Sequence, residues 1–188
     1  MKITLLAALA VAHVSFGSPF TDDFANTNNL NVFGNASIAT SSNILTLSRT
    51  DSVGDAGLDW LIDGTTRFSL DFGDAQSVLE ITPNAAITDG QWSAFILFFD
   101  GGGVFQAERT LFGFSDSTSF TSANIADFAI SEGFPTAATY QLRVRLQGET
   151  ASGFEFSEFA AVPEPSHYAL FGGFLMGAIV IWRRRLHA

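Results

Sequence analysis

The chain has 188 residues, a formal net charge of −10 and no cysteine, so disulfides, thiolate metal sites and cysteine-linked lipids are all excluded. Between Ser18 and Ala161 the imbalance grows, because Arg49, Arg67, Arg109, Arg143 and Arg145 stand against 18 acids, a net of −13, and lysine and histidine are missing. This inventory removes Ser-His-Asp and Cys-His catalysis, imidazole zinc sites and Schiff-base lysines from that region, and an acidic surface that repels phosphate excludes nucleic acid as an expected partner.

Lys2 is followed by an apolar run from Ile3 to Val14, broken only by Thr4 and His13. The run has the length and flank of a secretory signal peptide and is too short to span a bilayer. Ser15-Phe16-Gly17 supplies small residues at the third and first positions before a cut, which predicts a signal peptide over 1–17, with Ala10-Val11-Ala12 as the alternative site. Everything after it is expected to be exported.

Residues 18–161 have the size of one domain with one core. Tyr140 to Gln147 alternates apolar and polar residues with a period of two, as a half-buried strand does, and Asn43–Ser48, Arg67–Phe72, Ser77–Thr82 and Gly153–Ser157 follow the same rule. Ser93–Phe99 is apolar on both faces, the pattern of a central strand. Asp89-Gly90 and Gly101-Gly102-Gly103 punctuate these runs as turns. No segment shows a sustained 3.6-residue period. Strands recurring at roughly 10-residue intervals, with 20 phenylalanines in the chain to fill a core, predict an all-β domain, an antiparallel β-sandwich of the jelly-roll kind. The opening Thr21-Asp22-Asp23-Phe24 and the closing stretch Phe154–Phe159 loosely resemble the first and last strands of carbohydrate-binding and concanavalin-like jelly rolls. That resemblance implies that the two ends of the domain lie side by side, and it carries no ligand residues across.

With the usual catalytic side chains missing, carboxylates and aromatics are what remain. Glu80, Glu108, Glu132, Glu149, Glu155 and Glu158 could supply a glycosidase pair, but no spacing singles out two of them, and the polar phase of strands accounts for most. Asp51, Asp55 and Asp59 fall in a glycine-bearing stretch and form a candidate calcium site, although their spacing fits no EF-hand and is also ordinary turn composition. Trp60, directly after that stretch, is a candidate sugar-contacting residue, against the alternative that it belongs to the core. No other cofactor is expected.

The C-terminal 27 residues fix the address. Tyr168 to Trp182 is 15 residues without a charge, closed at once by Arg183, Arg184 and Arg185. As a helix this covers about 22 Å, short of a bilayer core of roughly 30 Å, yet the aromatic residues at both ends and the snorkelling arginines extend it to a membrane segment over 168–182. The arginines keep residues 183–188 in the cytoplasm, which puts the domain outside. Before the segment stands Pro163-Glu164-Pro165, two prolines that favour an extended, accessible peptide. This succession in 162–188, tripeptide then short apolar helix then arginine cluster, resembles the PEP-CTERM sorting signal. The resemblance implies that an exosortase in the inner membrane cuts near Glu164 and passes the domain to the cell surface or extracellular matrix. The expectation is therefore an exported, non-enzymatic protein, held first as a single-pass inner-membrane precursor, with a structural or adhesive role; the alternative is a module for extracellular polysaccharide, assisted by calcium.

Overall fold

Alternation with a period of two gives each strand one apolar face, and two sheets bury those faces by closing on one another. The computed structural model describes residues 20–70, 72 and 78–162; the expected signal peptide and the stretch 163–188, with Pro163, Glu164, Pro165, Arg183, Arg184 and Arg185, lie outside the described residues. In chain order the elements are β1 (Phe20–Asp22), β2 (Leu30–Gly34), β3 (Ala36–Ser41), β4 (Ile44–Arg49), β5 (Ala56–Trp60), β6 (Phe68–Ser69) and β7 (Val78–Ile87). They continue with β8 (Gln91–Phe99), β9 (Phe105–Ser115), β10 (Thr121–Asn124), α1 (Ile125–Ser131), β11 (Thr139–Gln147) and β12 (Gly153–Val162).

Sheet I has the order β10-β7-β12-β4-β3 with β1 also paired to β12, and sheet II the order β2-β5-β11-β8-β9 with β6 paired to β11. Every pairing is antiparallel. Their inner faces form one core. Leu45, Leu47, Leu79, Ile81, Phe154, Phe156 and Phe159 from sheet I meet Leu58, Trp60, Trp92, Ile96, Phe98, Tyr140, Leu142 and Val144 from sheet II. Rings dominate it: Trp60 lies 4.3 Å from Phe68 and 5.7 Å from Phe159 between centroids, while Trp92 lies 5.5 Å from Phe156. Each such buried aromatic contributes about 1.5–3 kcal/mol of transfer free energy, before any ring-to-ring preference.

The ends of the domain do lie side by side, since Phe20 pairs with Ala161 and Asp22 with Phe159. A buried carboxylate fastens this corner. Asp22 accepts from the Phe24 backbone N–H at 3.0 Å, Asn29 Nδ2 at 3.0 Å and Trp60 Nε1 at 3.2 Å. At another point between the sheets Arg49, also buried, donates to the carbonyls of Asp51, Gly54 and Leu146, which takes its charge into the interior with each of its three nitrogens making one hydrogen bond.

The strand bounds need adjustment, and one short helix is added. The 67–72 run yields only the two-residue β6, and β7 runs five residues beyond Thr82, through Pro83. Proline is tolerated there because the pairing of β7 with β12 shifts register at this point and β10 has already ended by Ile81. Asp89-Gly90 does separate two strands, carrying the chain from β7 in sheet I to β8 in sheet II, and Gly101–Gly103 closes a hairpin between β8 and β9. Finally, α1 occurs although no helical period is visible. Seven residues are too few to show one; Asn124 caps it by accepting from Asp127 N–H at 2.9 Å, and Ile125, Ala126 and Ala129 bury its inner side.

Candidate functional site

The polar phase of β11 decides what sheet II shows to solvent. Tyr140, Leu142, Val144 and Leu146 point into the core, so Gln141, Arg143, Arg145 and Gln147 lie on the outer face. Register places Asp59 of β5 opposite Arg143, and Ser93 and Gly57 on either side of Arg145. Arg143 grips Asp59 with two parallel bonds, Nε to Oδ1 at 2.6 Å and Nη2 to Oδ2 at 2.8 Å, the fork geometry that makes arginine–carboxylate pairs directional. Its Nη1 donates to Glu108 Oε2 at 3.0 Å, and Arg145 Nη2 reaches the other oxygen of Glu108 at 2.8 Å. The four charges form one row across β5, β11 and β9. Hydrogen bonding from Arg143 to Asp59 raises the guanidinium's pKa above its ordinary value despite partial burial, so it is charged at any working pH.

Rings lie beneath this row. Arg143 sits 4.6 Å above the centre of the Phe33 ring and Arg145 4.6 Å above that of Phe95. Glycine at position 57 is what lets Phe33 lie across β5, since a Cβ there would come within 2.7 Å of Phe33 Cζ and collide with the Val144 carbonyl. The face is thus a sheet of flat surfaces, phenyl and guanidinium, edged by donors and acceptors held in fixed positions. Ser93 Oγ and Arg145 Nε, neighbours on this face, are both buried without a hydrogen-bond partner.

At one end of the same face lies a cleft of about 390 Å³ lined by Thr65, Thr66, Arg67, Asp100, Gly101–Gly103, Ala138 and Thr139. Its walls are the tight turn over Ile62–Thr66, closed by Ile62 N–H to the Thr66 carbonyl at 2.7 Å and the reverse bond at 2.8 Å, and the β8–β9 hairpin. Asp100 holds the hairpin from inside, accepting from Gly102 N–H and Val104 N–H at 2.9 Å each and from Gln106 Nε2 at 3.2 Å.

The sequence candidates fare differently. Trp60 is fully buried, packed at tilted and edge-on angles among Phe20, Phe68 and Phe159 with its N–H on Asp22, so it is a core residue with no surface to offer a sugar. Asp51, Asp55 and Asp59 do not converge. Asp51 accepts from Val53 N–H within the turn, Asp59 is a strand residue spent on Arg143, and no group of three metal-ligating side chains occurs among the described residues. Of the glutamates, Glu108 belongs to the charge row, Glu132 pairs with Arg109 at 3.1 Å and Glu155 accepts from Asn84 at 2.8 Å. Glu80 and Glu158 lie diagonally across β7 and β12 on sheet I, and Glu149 lies in the turn between β11 and β12. Arg67, Arg143, Arg145, Phe33 and Phe95 escaped sequence reasoning. The alternation of Tyr140–Gln147 already put both β11 arginines on the solvent phase; what it lacked was the identity of the strands alongside.

No protein-family model matches the chain, and no curated protein matches it. Among solved structures it is similar to a xylan-binding domain from CBM 22 at 13% identity, covering 76% of this chain and 93% of that one with a TM-score of 0.42. It is also similar to accessory secretory protein 1, 2 and 3 of Streptococcus pneumoniae (12% identity, 70% and 93% covered, TM-score 0.45). A third is the CBM22-1–GH10 part of a Clostridium thermocellum endo-1,4-β-D-xylanase complexed with xylohexaose (12% identity, 80% and 29% covered, TM-score 0.46). Likeness at this level carries no function across to this chain.

Proposed function

We propose that this chain is an exported, non-enzymatic precursor, processed by an exosortase at Pro163-Glu164-Pro165, whose β-sandwich engages extracellular polysaccharide on the outer face of sheet II. The observation that supports the binding reading is the row Asp59–Arg143–Glu108–Arg145 laid over Phe33 and Phe95. A sugar ring offers apolar C–H faces and a rim of hydroxyls that both donate and accept. Flat guanidinium and phenyl surfaces match the first, and fixed carboxylate and guanidinium edges match the second. Four of the carboxylate and guanidinium contacts are already satisfied internally, so the array is preorganised and loses little side-chain freedom on binding.

The export reading rests on the sequence, and the side-by-side pairing of β1 with β12 is compatible with it, since β12 ends at Val162, one residue before the tripeptide. Calcium is not needed for this reading.

A glycan array probed with the full chain tests binding, with Phe33→Ala and Arg145→Ala as variants. Signal on extended polysaccharides that both variants reduce at least about tenfold, a difference of about 1.4 kcal/mol, supports the assignment. Absence of signal on every glycan rejects it and leaves the structural role. Intact mass of the protein recovered from the cell surface tests sorting: a species ending near Glu164 supports it, and one retaining Arg183–Arg185 rejects it.

A further inference from the structure

We infer that the cleft at the end of sheet II binds the carboxylate of an acidic sugar residue, so that the polysaccharide engaged is a uronate-containing one. The inference rests on the polysaccharide reading above and adds the ligand's charge to it. Arg67 carries the argument. Acids outnumber arginines 18 to 5 across 18–161, and the other four arginines have their cationic groups occupied. Arg109, Arg143 and Arg145 are ion-paired, and Arg49 is buried on three carbonyls. Among the described residues Arg67 has one hydrogen bond, Nη1 to the Gly103 carbonyl at 3.5 Å, and no carboxylate within 4.0 Å.

Its position is nevertheless fixed. Its Cζ lies 3.5 Å from the centre of the buried Phe99 ring, the separation of a stacked guanidinium–phenyl pair. A guanidinium held flat on a ring keeps its in-plane donors directed outward, the arrangement that receives a carboxylate in two parallel bonds. The lining around it is what the remainder of a sugar requires: hydroxyls of Thr65, Thr66 and Thr139 and the backbone of Gly101–Gly103. Asp100, the cleft's own carboxylate, is turned to the hairpin, where it accepts from two backbone N–H groups and Gln106. The domain's net negative charge opposes a polyanion at long range, but that repulsion is screened beyond about 8 Å at physiological ionic strength, whereas the guanidinium contact acts at hydrogen-bond distance.

Titration of the full chain, kept in a detergent without a sugar headgroup, with hexagalacturonate and with its fully methyl-esterified form tests the inference. The two probes share ring geometry and differ in charge. The acid should bind at least about tenfold more tightly, Arg67→Gln should erase that preference, and Arg67→Lys, which keeps the charge and loses the fork, should retain part of it. Equal binding of acid and ester, or a preference untouched by Arg67→Gln, overturns the inference while leaving the polysaccharide reading in place. Binding of neither probe, together with a blank on neutral oligosaccharides, overturns both. The acid-against-ester comparison uses the unaltered chain, so it decides even where a variant folds poorly.

Discussion

On the outer face of sheet I, Glu80, Thr82 and Asn84 of β7 run beside Glu155 and Glu158 of β12, with Thr46, Ser48 and Ser122 on the neighbouring strands. On the outer face of sheet II, Arg143 and Arg145 tie Asp59 and Glu108 together above Phe33 and Phe95. Both faces come from the same period-two pattern and back onto the same core. They differ in how charge is treated: the carboxylates of sheet II are placed in a network with cations, and among the described residues Glu80 and Glu158 of sheet I have no ion-pair partner. A solvated acidic face needs only to be hydrated. A face that fixes four charged groups and two rings in register gives up side-chain entropy to do so, and that difference is why sheet II is the face proposed to bind.

Alkali should produce the largest effect, through the core that both faces share. Burial pushes the Tyr140 phenol well above its ordinary pKa of about 10, so the folded state holds that proton more tightly than the unfolded chain. The resulting stability is intact below about pH 10 and is lost as pH rises beyond it. Tyr140 is the one tyrosine before Tyr168, so absorbance of tyrosinate in a mature form ending near Glu164 should appear together with loss of near-ultraviolet circular dichroism. Arg143 remains charged throughout, because its pKa is raised too, so the charge row is not what fails.

Substitution separates the faces more directly. Gly57→Ala should cost about 2–3 kcal/mol, because the new methyl meets the Val144 carbonyl, which is backbone, as well as Phe33. Arg143→Ala should cost about 2 kcal/mol by stranding Asp59 and Glu108, a drop in melting temperature of roughly 6 °C for a domain of this size. On sheet I, Glu158→Gln should stay within about 0.5 kcal/mol. A melting temperature unchanged by Arg143→Ala, or a large loss from Glu158→Gln, would erase the distinction. The smallest effect is expected at Ser93→Ala, neutral or slightly stabilising, since the hydroxyl it removes is buried without a partner.

How far this was visible in the chain follows from what each residue depends on. Tyr140–Gln147 and Gly153–Ser157 read correctly as strands because alternation is local, and the pairing of the domain's ends was legible as a resemblance. Trp60 was open to either reading. Its burial depends on Asp22, 38 positions away, which supplies the acceptor its N–H needs. Asp51, Asp55 and Asp59 look like one loop in sequence, but the strand begins at Ala56, and pairing sends Asp59 to Arg143, 84 positions on. Arg67 fell in a segment expected to be strand through Phe72, and the strand is only two residues long, so the cleft it lines could not be anticipated. Short elements such as α1 are set by a cap and three buried side chains rather than by a period.

Backbone amide shift mapping of the full chain, in sugar-free detergent, with and without hexagalacturonate, tests the central claim most directly. Shifts confined to Phe33, Gly57, Phe95, Arg143, Arg145 and the Arg67 cleft are the predicted result. Shifts centred on Glu80, Asn84 and Glu158 would contradict the assignment of sheet II as the binding face.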